Sequence, residues 1–159
     1  MRIFVAAPFT GSIQKETRRL PDDYRQWLAK IIRELRASGH EVLCAHEREQ
    51  WGEKLDSPET AIHLDWEAIR KSDVLLAYLG NPPSPGVQME LGYASALQKT
   101  IIVASEKHSD VPYLVRGLTR ITNTIFVQFE DPSGLSHGIA QAIKFVEQAP
   151  AQKADSKSE

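Results

Sequence analysis

The 159-residue sequence predicts a doubly wound α/β protein, and three observations carry that prediction. Short β-prone apolar runs alternate with helical patterns along most of the chain, the order that gives a parallel sheet through right-handed crossovers. The most apolar run, Asp73 to Leu79, has the unbroken character of a central strand covered on both faces. The length fits one domain with a core large enough to fold unaided.

Arg2 to Ala7 is the first strand, broken at Pro8, and Thr10 to Pro21 is polar and irregular. Over Asp22 to Ser38, Tyr24, Trp27, Leu28, Ile31, Ile32 and Leu35 recur at three- and four-residue intervals, an amphipathic helix that Gly39 stops. Glu41 to Ala45 supplies the second strand. Ser57-Pro58-Glu59 reads as an N-cap followed by proline at the first helical position, opening a helix through Ile62, Asp65, Trp66 and Ile69 to Lys71. Asp73 opens the third strand and is read as capping or positioning a ligand crevice. After Gly80 to Pro85, Gly86 to Gln98 is helical. Thr100 to Ala104 is the fourth strand, Tyr113 to Leu118 a short helix, Thr124 to Phe129 the fifth strand and Ser133 to Gln148 the closing helix. The domain is thus expected over residues 1–148. Residues 149–159 carry no bulky apolar side chain and are expected to be a disordered tail.

Composition narrows the function. Hydrophobic residues are 42% and charged residues 25%, and 19 Lys+Arg against 21 Asp+Glu leave a net charge of −2, without the basic excess that polymeric nucleic acid demands. The longest unbroken apolar run, Val74 to Leu79, is far short of the roughly 20 residues of a membrane span. No basic-then-apolar leader opens the chain, so a cytoplasmic location is expected. The lone Cys44 cannot form an internal disulfide or a multi-cysteine zinc site.

In a flavodoxin-like (Rossmann-like) five-stranded sheet of order 2-1-3-4-5, the ligand crevice lies beyond the carboxyl ends of strands one and three. The loops Ala7-Pro8-Phe9-Thr10-Gly11 and Gly80-Asn81-Pro82-Pro83-Ser84-Pro85-Gly86 face it, and the second runs into a helix N-terminus that favours an anion. Neither the dinucleotide nor the P-loop glycine fingerprint is present. Gly134-Leu135-Ser136-His137-Gly138 matches a nucleophile elbow, but too few residues follow Ser136 to hold the acid and histidine of a triad. Helix capping by Ser133 or Ser136 is the alternative. His46-Glu47 lacks the second histidine of a helical zinc site, because position 50 is glutamine.

Glu90, in about the first turn of the helix after the proline-rich loop, and Asp65, on the preceding helix, are candidate partners across the crevice. The competing readings are a Glu90 that complements a helix N-terminus and a solvated Asp65.

Ile3-Phe4-Val5-Ala6-Ala7-Pro8-Phe9, Asp65 through Asp73, and Ser84-Pro85-Gly86-Val87-Gln88-Met89-Glu90-Leu91-Gly92-Tyr93-Ala94 resemble the nucleoside 2-deoxyribosyltransferase superfamily. Ala45-His46-Glu47-Arg48-Glu49-Gln50-Trp51-Gly52 and the Ser57-Pro58 helix start are similar to its branch of cytidine 5′-monophosphate hydrolases. The resemblance implies cleavage of the base–C1′ bond of a pyrimidine nucleoside 5′-monophosphate. The alternatives are exchange of bases on 2-deoxyribose and a non-catalytic nucleotide-binding module.

Glu90 would be the nucleophile and form a glycosyl-enzyme, as in retaining glycosidases whose carboxyls stand about 5 to 5.5 Å apart. Asp65, with a raised pKa, would protonate the departing base. No cofactor or metal is implied. The hydrolases carry serine where Ser84 stands and the deoxyribosyltransferases aspartate, and a hydroxyl suits a phosphate better than a carboxylate does. Gly86 and Met89 flank Glu90 in the same motif, and Pro8 belongs to the first-loop motif. Phe4 and Phe9 are placed to flank a base, with a core role the equal alternative for Phe4. His46, Arg48 and Trp51 follow the second strand and could bind phosphate or sugar, against a surface salt bridge or a packed indole. Thr10 departs from the arginine of the hydroxymethyl-cytidylate hydrolases, and Pro112 stands where deoxynucleotide hydrolases place a serine. Tyr113 and Arg116 lie where relatives lend residues to a neighbouring site, so a homodimer or higher homo-oligomer is implied.

Overall fold

The computed structural model describes residues 1–14 and 19–149, with the side chains of Thr10, Pro132 and Ser133 left out. The predicted tail therefore lies outside the described residues, apart from Ala149. Five strands, β1 (Arg2–Ala6), β2 (Glu41–Cys44), β3 (Val74–Tyr78), β4 (Thr100–Glu106) and β5 (Thr124–Phe129), form one parallel sheet in the order β2-β1-β3-β4-β5. Among the described residues the α-helices are α1 (Asp22–Ala37), α2 (Ala45–Arg48), α3 (Pro58–Lys71), α4 (Pro85–Ala96), α5 (Tyr113–Arg116) and α6 (Pro132–Gln148). Among the described residues no helix is long and apolar enough to cross a membrane.

Strand alternation divides the core in two. Ile3, Val5, Val74, Leu76 and Ile102 pack with Leu28, Ile31, Ile32 and Leu35 of α1 and Leu135, Ile139 and Ile143 of α6. Their neighbours Phe4, Ala6, Leu75, Ala77, Ile101 and Val103 pack with Ile69 of α3 and Val87, Leu91 and Ala94 of α4. The chain thus leaves β1 for one face and β3, its sheet neighbour, for the other, which opens a crevice between their carboxyl ends.

Local chemistry accounts for the element ends. Gly39 (φ +88°) closes α1 with a Schellman pair, Gly39 N–H to Arg36 C=O at 2.9 Å and His40 N–H to Leu35 C=O at 3.2 Å. Ser57 caps α3 by accepting from the Thr60 N–H at 3.3 Å, with Pro58 at the first helical position, as its sequence predicts. The fourth strand runs two residues beyond its expected end, and the short helices at 45–48 and 50–52 are not visible in the hydrophobic pattern.

Two expectations change. Asp73 lies at the amino edge of the sheet, away from the crevice, where its carboxylate accepts from the Arg2 N–H at 2.7 Å. Ser136 does not cap α6. The Asp131 carboxylate accepts from the Gly134 N–H at 3.0 Å, while the Ser136 hydroxyl meets Lys30 Nζ of α1 at 3.2 Å. Gly138 serves packing, since a Cβ there would collide with Val127.

Candidate active site

The crevice between β1 and β3 is a cavity of about 990 Å³. The first loop supplies Pro8 and Phe9, α2 supplies His46, α3 supplies Asp65, and the 80–86 loop leads into Glu90 of α4. Gly80 (φ +82°) brings the two loops together: a Cβ there would strike the Pro8 ring.

Glu90 lies in the second turn of α4, half-buried on the cavity wall. Its pKa is pushed up to about 8, chiefly by burial and next by the nearby Asp65 charge, with Arg48 pulling the other way. Asp65 accepts from Arg48 Nη1 at 2.7 Å.

Arg48 itself does not line the cavity. Its Nε donates to Asp56 at 2.9 Å and its Nη2 to Glu49 at 2.8 Å, so one guanidinium grips three carboxylates. Such charge-assisted bonds are short and directional. They turn Arg48 away from the phosphate-binding role and toward holding Asp65. Glu49 and Asp56, both on the cavity wall, are site residues that the sequence reading missed. Burial raises the Glu49 pKa, against the Asp56 N–H and Arg48. Their signal was the run Glu47-Arg48-Glu49 beside a predicted crevice loop, but polar patterning cannot tell a buried acid from a solvated one.

His46 is buried and its pKa is pushed down to about 4 by that burial, so the ring is neutral. Nε2 lies 3.1 Å from the Pro8 carbonyl, which can only accept, so Nε2 carries the proton and Nδ1 faces Cys44 Sγ at 3.6 Å. Phe9 stacks on the imidazole with centroids 4.2 Å apart, and Tyr24 Oη donates to the same Pro8 carbonyl at 2.7 Å. Both ring nitrogens are engaged, and His46 braces the first loop. Trp51 packs 6.2 Å from His46 with Arg25 over its own ring.

At the other wall, α4 begins at Pro85, which has no N–H. The Gly86 and Val87 N–H groups precede the first intrahelical bond, from Gln88 to Ser84 C=O at 3.1 Å, and both residues line the cavity. Ser84 makes no side-chain capping bond. Its hydroxyl and those two amides are groups of the kind a helix N-terminus offers to an anion.

The other expected binding residues lie elsewhere. Phe4 is core, 1% exposed beneath α3 and α4. Met89 points outward, 52% exposed. Tyr113, 80% exposed, lies under the Arg116 guanidinium at 5.5 Å, and neither lines this chain's own cavity.

The fold is a doubly wound α/β sheet whose switch-point crevice is lined by the two carboxylates Asp65 and Glu90 and by the start of α4. The profile of the nucleoside 2-deoxyribosyltransferase family matches residues 17–141, and the chain belongs to that family. No curated protein matches it. Among solved structures it is similar to the CMP N-glycosidase BcmB of Clostridium botulinum, at 27% identity and TM-score 0.68 over 89% of this chain and 99% of that one. It is similar to BlsM at 35% identity and TM-score 0.77, over 94% of this chain and 95% of that one. A 2-deoxyribosyltransferase from Bacillus psychrosaccharolyticus shares the fold at 20% identity and TM-score 0.61, over 86% and 90%.

Proposed function

We propose that the protein hydrolyses the base–C1′ bond of a pyrimidine nucleoside 5′-monophosphate such as CMP, releasing free base and a (deoxy)ribose 5-phosphate. The observation that carries this reading is the carboxylate pair itself: a half-buried Glu90 with its pKa pushed up to about 8 beside Asp65, one turn along the helix whose N-terminus carries Ser84 and Gly86. The similarity to a CMP N-glycosidase supports the nucleotide and the hydrolysis.

At neutral pH Glu90 holds a proton beside the Arg48-bound Asp65, a carboxylate pair of the proton-sharing type. Transfer of that proton to Asp65 frees Glu90 to attack C1′. The C1′–N bond breaks with its electron pair going to the base, which takes the proton from Asp65. Water then adds to C1′ of the glycosyl ester, Asp65 accepts the water's proton, and Glu90 leaves as carboxylate. The Gly86 and Val87 amides and the Ser84 hydroxyl hold the 5′-phosphate, so its binding energy positions C1′. Tyr113, Leu114 and Arg116 are exposed, as a surface for a second copy of the chain requires.

Family membership favours one other reading, in which a second base rather than water captures the same intermediate. Chromatography of the purified protein with CMP, dCMP, UMP, dUMP, TMP and the matching nucleosides, with and without a second free base, separates the two. Base released from a nucleotide without an acceptor is the expected result. A new nucleoside formed only with the second base would replace hydrolysis by transfer, and saturable binding without product would reduce the protein to a binding module.

A further inference from the structure

The cavity wall beyond Asp65 is more acidic than the reaction at C1′ requires. Glu49 is 5% exposed yet lines the cavity. Its oxygens accept from Arg48 Nη2 at 2.8 Å and from the Asp56 N–H at 3.3 Å. A carboxylate offers about four lone-pair directions, so roughly two are left for a guest. The three nitrogens of Arg48 already bond to Asp56, Asp65 and Glu49, so this wall presents acceptors.

The backbone that carries Glu49 is built for its position. Gln50, Trp51 and Gly52 follow with φ of 51°, 61° and 97°, three left-handed residues in succession, two of which bear side chains. Conformations of that kind persist where the surroundings over-determine them. The Gly52 and Lys54 N–H groups both bond to Glu49 C=O, at 3.0 and 3.2 Å.

The binding proposed above fixes where the base of a nucleotide lies. With its phosphate at Ser84 and Gly86 and its C1′ at Glu90, the base extends toward Asp65, which must protonate it. Beyond Asp65, one guanidinium away, stands Glu49, and beside it the stacked rings of Phe9 and His46 offer a flat surface.

We propose that Glu49 reads the base, accepting a hydrogen bond from an exocyclic amine, so that the protein selects an amino-pyrimidine over its keto counterpart. This rests on the nucleotide reading above and deepens it. A carbonyl at C4 would set its lone pairs against a buried carboxylate, an arrangement with no compensating donor, whereas an amine completes the unfilled acceptor sites.

The test compares kcat/KM for CMP, UMP, dCMP and the 4-deamino analogue 2-pyrimidinone ribonucleoside 5′-monophosphate in the wild-type protein and in Glu49→Gln. The wild type is expected to favour CMP over UMP and over the analogue by about a hundredfold or more, as sites built to bond a substrate N–H do. In Glu49→Gln the amide can turn its NH₂ toward a carbonyl, and UMP should come within about tenfold of CMP, with the CMP:dCMP ratio unchanged. An unaltered CMP:UMP ratio overturns the proposal, as does a change confined to CMP:dCMP, which would assign Glu49 to the sugar hydroxyls. If Glu49→Gln loses its circular-dichroism signature, the wild-type comparison decides, and equal rates for CMP and the analogue reject it. A wild-type protein that releases no base strikes at the hydrolase reading alone. Calorimetric affinities for CMP and UMP then decide for Glu49: tighter CMP supports it and equal affinities refute it.

Discussion

The two ends of the sheet are built from the same residue types and do different work. At the amino end Arg2 pairs with Glu41 at 2.8 Å, with side chains 38% and 55% exposed. At the carboxyl end Arg48, 26% exposed, grips Glu49 at 6% and Asp65 at 18%. Distances are alike and burial is not. An exposed pair is screened by water and worth little, whereas charges drawn into a cleft must be matched one against another and shift their neighbours' protonation. The lesson is that an arginine–carboxylate contact says little until its solvent access is known, and here access separates a tie between strands from a half-buried charge cluster at the cavity.

The comparison can be broken most sharply at Glu90. Glu90→Ala should lower turnover by at least about a thousandfold with the fold intact by circular dichroism, and a variant with near-normal rates would remove Glu90 from the chemistry. Arg48→Met should cost about a hundredfold in kcat/KM, the size typical of a lost orienting partner. Because Arg48 lowers the Glu90 pKa, its loss should also move the alkaline limb of the pH profile upward. An unmoved limb would show that the cluster does not govern Glu90. Ser84→Asp places a carboxylate at the proposed phosphate position, and KM should rise about tenfold or more for a nucleotide but hardly for a nucleoside. Equal changes would remove the phosphate from that loop.

In the unaltered protein, kcat/KM should fall about tenfold per pH unit above 8. The sign follows from Glu90: its pKa is raised to about 8, so above that pH it is ionised beside Asp65 and the pair lacks the proton the base needs. A profile flat to pH 10 would contradict this. The smallest effect is expected at the amino end, where Glu41→Ala should change stability by less than about 1 kcal/mol in denaturant unfolding. A larger loss would erase the distinction between the two ends.

Most of the fold was legible because its strands and long helices have strong periods: the α1 stripe Leu28, Ile31, Ile32, Leu35 is buried as its spacing predicts. Ile62 on α3 obeys the same spacing and is 46% exposed, since α3 is held to the sheet mainly by Ile69 and to α4 by the Trp66–Tyr93 contact. Glu90 and Asp65 were legible from their motif and from the crevice that the strand order implies. The segment from His46 to Asp56 was not. Its conformation rests on left-handed residues, on a neutral imidazole pinned between a thiol and a carbonyl, and on one arginine shared among acids, none of which leaves a periodic trace.

Gly80 sits where the first loop and the 80–86 loop touch, and its missing side chain is filled by the ring of Pro8. The two loops descend from different halves of the chain, so this contact is a seam between them. Recombining a front half from one relative with a back half from another would succeed or fail there first, because a proline on one side demands bare backbone on the other. Libraries that reshape the pocket can vary Ser84 or Phe9 singly, but positions 8 and 80 form one unit of inheritance and need to be exchanged together.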